Sequence, residues 1–185
     1  KPETCIGFDL VGVQIREKEH NPLPHYGEAG SGLRFITILS EELYSQINAI
    51  SGKTAEYGFV AARSSTTDRN MDGATDATLQ YRGTNVNGVD TTDEYYYVQN
   101  FKCSGVVDHY NSEAYRLYTL VITYPDVTGE ELEKEYNERF AARAYIRYYD
   151  ANGMLRIHYN NYTGTHFYGG CSTSFAEVRA MLQNR

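Results

Sequence analysis

The chain reads as a mainly β protein, an antiparallel β-sandwich with a few short helices. Three observations predict this. Short segments of alternating apolar and polar residues recur along it, about seven in all. Clusters of Gly, Asn, Asp and Pro separate them, as turns between antiparallel strands require. Tyrosine is in excess, with 18 Tyr against 7 Phe and no Trp; a ring with a polar tip suits a half-exposed sheet or a wet interface.

The elements follow in order. Ile6, Phe8 and Leu10 alternate, and Val11, Val13 and Ile15 alternate in shifted phase, predicting a strand with a bulge near Val11-Gly12. A loop runs through Asn21-Pro-Leu-Pro24 and Gly27 to Gly32. Leu33 to Leu39 is apolar on both parities and reads as a central strand. Ser40-Glu-Glu-Leu-Tyr-Ser-Gln-Ile predicts a short helix with Ser40 as N-cap and acids in its first turn. Tyr57 to Arg63, Glu94 to Cys103 and Tyr115 to Tyr124 are further strands. Residues 64–93 are polar and irregular, and a loop of that length in a compact domain is functional, metal-organised or disordered. Gly129 to Arg139 reads as an acidic helix, and Phe175 to Leu182 as a closing amphipathic turn or two. No linker interrupts residues 1–185, which form one module.

The most informative stretch is 140–162. Asn152-Gly153 lies between two alternating runs and signals a hairpin with a two-residue type I′ turn. That turn pairs Ala151 with Met154 and sets every outer pair. One face then carries Ala144, Ile146, Tyr148, Ile157 and Tyr159, suited to a core. The other carries Arg143, Tyr145, Arg147, Tyr149, Arg156, His158, Asn160 and Tyr162, aromatic, cationic and hydrogen-bonding. Tyrosine rings stack on pyranose faces, while Arg, His and Asn satisfy hydroxyls or uronate carboxylates. Tyr145, Arg147, Tyr149, Arg156, His158, Asn160 and Tyr162 are therefore the candidate glycan-binding residues, those nearest the turn being the most open. The competing readings are a solvated face and a face packed under segment 163–185.

A second motif is Asp68-Arg-Asn70-Met-Asp72-Gly73-Ala-Thr-Asp76, which fits D-x-N-x-D-G. Oxygen ligands at alternate positions before a glycine turn converge on one point, so Asp68, Asn70, Asp72 and Asp76 are candidate ligands for a structural Ca2+. Position 12 is Leu79 where an EF-hand has a bidentate acid, and Asp90, Asp93 or Glu94 would have to complete the shell. The alternative is a solvated Asx-rich turn.

Composition and motifs narrow the function classes. A formal charge of −7 argues against a nucleic-acid partner bound through bulk positive charge. No apolar run reaches the length of a membrane span. There is no G-x-S-x-G, P-loop, G-x-G-x-x-G or zinc spacing among the histidines. Glu56, Glu94, Asp108 and Glu113 lie near strands without a motif that singles them out. Cys103 with His109, or Cys171 with His166, are thiol–imidazole neighbours only in sequence. The expectation is no enzyme. Cys5, Cys103 and Cys171 allow one disulfide or three thiols, and spacing does not choose the pair. The start, Lys-Pro-Glu-Thr, reads as that of an excised mature module.

Gly32-Leu33-Arg34-Phe35 leading into a short helix, Tyr57-Gly58-Phe59, Phe140-Ala-Ala-Arg-Ala-Tyr-Ile146 and Asp150-Ala-Asn-Gly153 form a set. It resembles a little-characterised β-sandwich module of secreted, cellulosomal (dockerin-bearing) and cell-surface proteins of gut and rumen Firmicutes, over about residues 7–162. The resemblance implies an extracellular, non-catalytic accessory module beside enzymes, carbohydrate-binding modules or anchors of the same polypeptide. It carries no ligand residues. The expected function is thus a non-catalytic module binding a polysaccharide or host glycan through the hairpin face. The alternatives are a structural or protein-interaction module without a glycan site, and a hydrolase of unrecognised type.

Overall fold

The computed structural model describes residues 4–11, 31–52, 55–63, 80–82, 85–86, 89–90, 98–110, 112–124, 127–159 and 172–183. They form a mainly β structure with three short helices. The strands are β1 (Thr4–Val11), β2 (Gly32–Ser40), β3 (Glu56–Arg63), β4 (Asn85–Val86), β5 (Val89–Asp90), β6 (Gln99–Lys102), β7 (Val106–Tyr110), β8 (Glu113–Thr123), β9 (Arg139–Tyr149), β10 (Leu155–Tyr159) and β11 (Ser172–Ser174). The helices are α1 (Glu41–Ser51), α2 (Glu130–Asn137) and α3 (Phe175–Gln183).

A four-stranded antiparallel sheet runs β1-β2-β8-β7, and a five-stranded one runs β10-β9-β3-β6 with β11 paired to the start of β9. A small ribbon joins β4 to β5. The central place of β2 agrees with its sequence: Leu33, Phe35 and Leu39 are buried while Arg34, Ile36 and Ile38 are half-buried. Helix α1 begins where Ser40 caps it, its Oγ accepting from Leu43 N–H at 3.1 Å. It ends at Gly52, whose φ of 63° is a left-handed C-cap.

Both sheets contribute to one buried cluster. Leu33, Phe35, Tyr118 and Leu120 come from the first, Tyr57, Phe59, Ala142 and Ala144 from the second, and Ile47, Tyr136, Phe175 and Val178 from the helices. The opposite face of the five-stranded sheet is also covered. Val60, Ala62, Val98, Ala141, Tyr145 and Ile157 are buried there with Tyr81, Leu155 and Tyr159 against them. This explains why β3 and the first half of β9 are buried on both parities.

Three sequence expectations change. The hairpin closes through a three-residue loop, pairing Tyr149 with Leu155 and Ile157 with Arg147. Asp150 N–H donates to Met154 O and Gly153 N–H to Asp150 O, both at 2.9 Å, and Gly153 has φ 75°. This is a turn followed by a left-handed glycine, one residue longer than a type I′ loop. The slip turns β10 over. Ile157 and Tyr159 join Arg147 and Tyr145, while Arg156 and His158 join Tyr148 and Ile146. The second change is β7, an edge strand missed in the sequence, paired to β8 around a turn with Ser112 at φ 66°. The third is β11.

Among the described residues no helix is long and apolar enough to cross a membrane. The Asp68–Asp76 motif, Asn160 and Tyr162 lie outside them, as does Cys171.

Candidate functional site

A groove of about 460 Å³ opens at the end of the five-stranded sheet where β3 begins and β6 and β9 end. Three connections place its walls. Ala55 N–H donates to Asn48 Oδ1 at 2.9 Å, holding the start of β3 against α1. Cys103 N–H donates to Tyr57 O at 2.8 Å and carries the chain beyond β6 across the rim. Gly105 then passes under the Tyr118 ring, where a Cβ would lie 2.7 Å from ring carbons.

The walls are largely tyrosine. Tyr44 of α1, Tyr57 of β3 and Tyr118 of β8 form a stack, with centroids 5.3 Å and 4.8 Å apart. The Arg116 guanidinium extends the stack, 4.3 Å from the Tyr44 ring centroid. Glu41 holds it in place through two bonds of 2.8 and 3.0 Å. That pairing lowers the Glu41 pKa and raises that of Arg116. Burial pushes the Tyr57 and Tyr118 phenols well above their ordinary range, so both stay neutral. The Tyr57 hydroxyl is buried with no hydrogen-bond partner among the described residues.

The hairpin contributes Arg147, Tyr148 and Tyr149, and β6 contributes Lys102. Tyr149 is 44% exposed and Lys102 is exposed. Arg147 lies 5.6 Å from the Tyr81 ring centroid and 5.7 Å from that of Tyr149. Its cross-strand neighbour is Glu56. Glu56 accepts instead from the Tyr145 hydroxyl at 2.6 Å, and Tyr81 also hydrogen-bonds to it. The Cys103 thiol in the groove donates to Phe101 O at 3.5 Å, and burial pushes its pKa up to about 11. At neutral pH it is a protonated thiol and a poor nucleophile. Cys103 is free, so any disulfide is confined to Cys5 and Cys171.

The predicted binding residues are thus divided. Arg147 and Tyr149 line the groove. Tyr145 does not stand on an open face: it is 2% exposed, buried by Tyr81, which meets it edge-on at 5.1 Å. Arg143 is buried beside it with its guanidinium 3.8 Å from the Tyr159 ring centroid, and Tyr159 accepts from Tyr81 N–H at 2.8 Å. Among the described residues, those around Tyr81 cover this face. Arg156 and His158 face the other way, Arg156 bound to Asp150 at 3.0 Å and His158 to Tyr148 at 2.9 Å. Near the turn, Tyr149 is exposed as expected, whereas Arg156 is half-buried and the Arg147 Nε is buried. Sequence reasoning missed Tyr44, Tyr57, Lys102, Arg116 and Tyr118. The tyrosine excess was the available signal, but it does not say which rings meet.

Among the described residues no group of three or more His, Cys, Asp or Glu is placed to hold a metal. Comparison with known proteins adds no family. No family model, curated protein or solved structure matches this chain.

Proposed function

We propose that this chain is a non-catalytic β-sandwich module of a secreted or cell-surface multimodular protein, binding a polysaccharide or host glycan in the tyrosine-lined groove. The observation that carries the reading is the groove itself, about 460 Å³ bounded by Tyr44, Tyr57, Tyr118, Tyr148 and Tyr149 with cations between them. Its size lies in the range of ligand sites. The exposed Tyr149 ring offers a stacking surface for a sugar ring. The Tyr44–Tyr57–Tyr118 stack, its faces covered by one another, by Arg116 and by Gly105, makes a rigid wall, and cations on the same elements orient hydroxyls or carboxylates. The sandwich reading rests on the cluster shared by the two sheets.

Affinity electrophoresis of the isolated chain through gels containing different polysaccharides tests this. Retardation on at least one of them, reduced by Tyr149→Ala and by Tyr44→Ala, is expected. Unchanged mobility on all of them overturns the reading.

A second reading is a module that docks neighbouring modules of the same polypeptide. It is favoured by the exposed apolar residues Val106 and Val107 of edge strand β7 and Val121 of β8. A structural Ca2+ at Asp68, Asn70, Asp72 and Asp76 is part of the proposal. Chelation should then lower the melting temperature, because a ligand of the native state stabilises it; an unmoved Tm removes the ion.

A further inference from the structure

We infer that the groove selects an acidic saccharide, its carboxylate held between Arg147 and Lys102. The inference rests on the saccharide reading of the groove and adds the ligand's charge. Four described charged side chains line it: Glu56, Lys102, Arg116 and Arg147. Two are already engaged within the protein. Arg116 is bound at two points by Glu41, and Glu56 accepts from Tyr145 and Tyr81. Arg147 and Lys102 make no ion pair among the described residues.

The Arg147 Nε is, moreover, buried without an acceptor among the described residues. A desolvated guanidinium N–H costs free energy unless an acceptor reaches the group, and a carboxylate matches its fork best. The sheet places the two cations on one face. Lys102 pairs with Gly58, Gly58 with Tyr145, and Arg147 lies two residues further along β9. Strands β6 and β9 are two spacings apart, about 10 Å. Gly58 between them has no side chain of its own, and its place is taken by the Tyr145 hydroxyl that Glu56 holds. Tyr149 beside Arg147 offers a ring for the sugar face while the charge is held. The net charge of −7 excludes bulk attraction of polyanions, so retention of an acidic sugar would report this local pair.

The test compares a short oligogalacturonate with its fully methyl-esterified counterpart by isothermal titration of the whole chain. The acid should bind about tenfold or more tightly than the ester, the scale of one charge-assisted hydrogen bond. Lys102→Gln, at an exposed site, and Arg147→Gln should each remove most of that preference. The ester should still bind both variants, and their melting curves show that each is folded. Equal affinities for acid and ester, or a preference untouched by Lys102→Gln in a folded chain, overturn the acidic inference and leave the groove a neutral-sugar site. Binding of neither probe, together with unchanged mobility on every polysaccharide gel, overturns the saccharide reading itself.

Discussion

At Gly58 the missing side chain is a packing requirement. A Cβ there would lie 2.1 Å from Phe101 O and 2.8 Å from the Tyr145 hydroxyl. That hydroxyl crosses Gly58 to reach Glu56 at 2.6 Å. Gly58→Ala must push apart β6 and the Tyr145 ring together, and should destabilise by about 3 kcal/mol in urea unfolding. Tyr145→Phe removes only the bond and keeps the ring. Its expected loss is about 1–3 kcal/mol, near the lower end because Glu56 retains Tyr81. A loss for Tyr145→Phe equal to that for Gly58→Ala would contradict the packing account. In sequence Tyr145 reads as an open-face residue by alternation alone. Alternation assigns a side chain to a face of the sheet but is silent on what covers that face. Tyr81, 64 positions away, belongs to a stretch with no periodicity to announce it.

The hairpin shows how one side chain resets an element. Asp150 Oδ1 accepts from Asn152 N–H at 2.9 Å and Met154 N–H at 3.0 Å, while Oδ2 takes Arg156 Nε at 3.0 Å. These bonds, Met154's amide first, hold the Asp150 carboxyl below its ordinary value. A lowered folded pKa means that the carboxylate stabilises the hairpin fully above the unfolded pKa of about 3.9, and that this is lost as pH falls through the lower folded value. The amide resonances of Asn152 and Met154 should therefore move together only in the acid range. Movement nearer neutral pH would exclude Asp150 as their common acceptor. Gly153→Ala, at φ 75°, should cost about 1–2 kcal/mol in the same loop. The hairpin, the N-cap at Ser40 and central β2 were legible because each is written in local turn chemistry or local alternation. The register was misread because Asn152-Gly153 dominates the dipeptide signal, whereas Asp150 caps the longer loop. The groove was less legible still. Its rings come from α1, β3 and β8, and only the fold brings them together.

On the scale of the whole molecule, the two ends of β9 separate stability from the proposed binding. Its first residues pair with β11, which leads into α3; its last residues reach the groove. From Phe140 to Tyr148 the strand spans about 27 Å. At the far end Phe175 is fully buried, stacked on Tyr136 at 4.3 Å and edge-on to Tyr124 at 5.1 Å. Arg139 fastens the same helix through Glu177 at 2.6 Å. Phe175→Ala should cost about 3–5 kcal/mol, as expected for a buried aromatic, out of a total of about 5–15 kcal/mol. Sites this far apart act independently, so the variant should lower the melting temperature steeply and leave saccharide affinity unchanged while it is folded. Combined with Tyr149→Ala, the losses of stability and of affinity should add without coupling. An affinity that falls with Phe175→Ala at temperatures where the chain is fully folded would show that α3 shapes the groove, and that the molecule works as one mechanical unit.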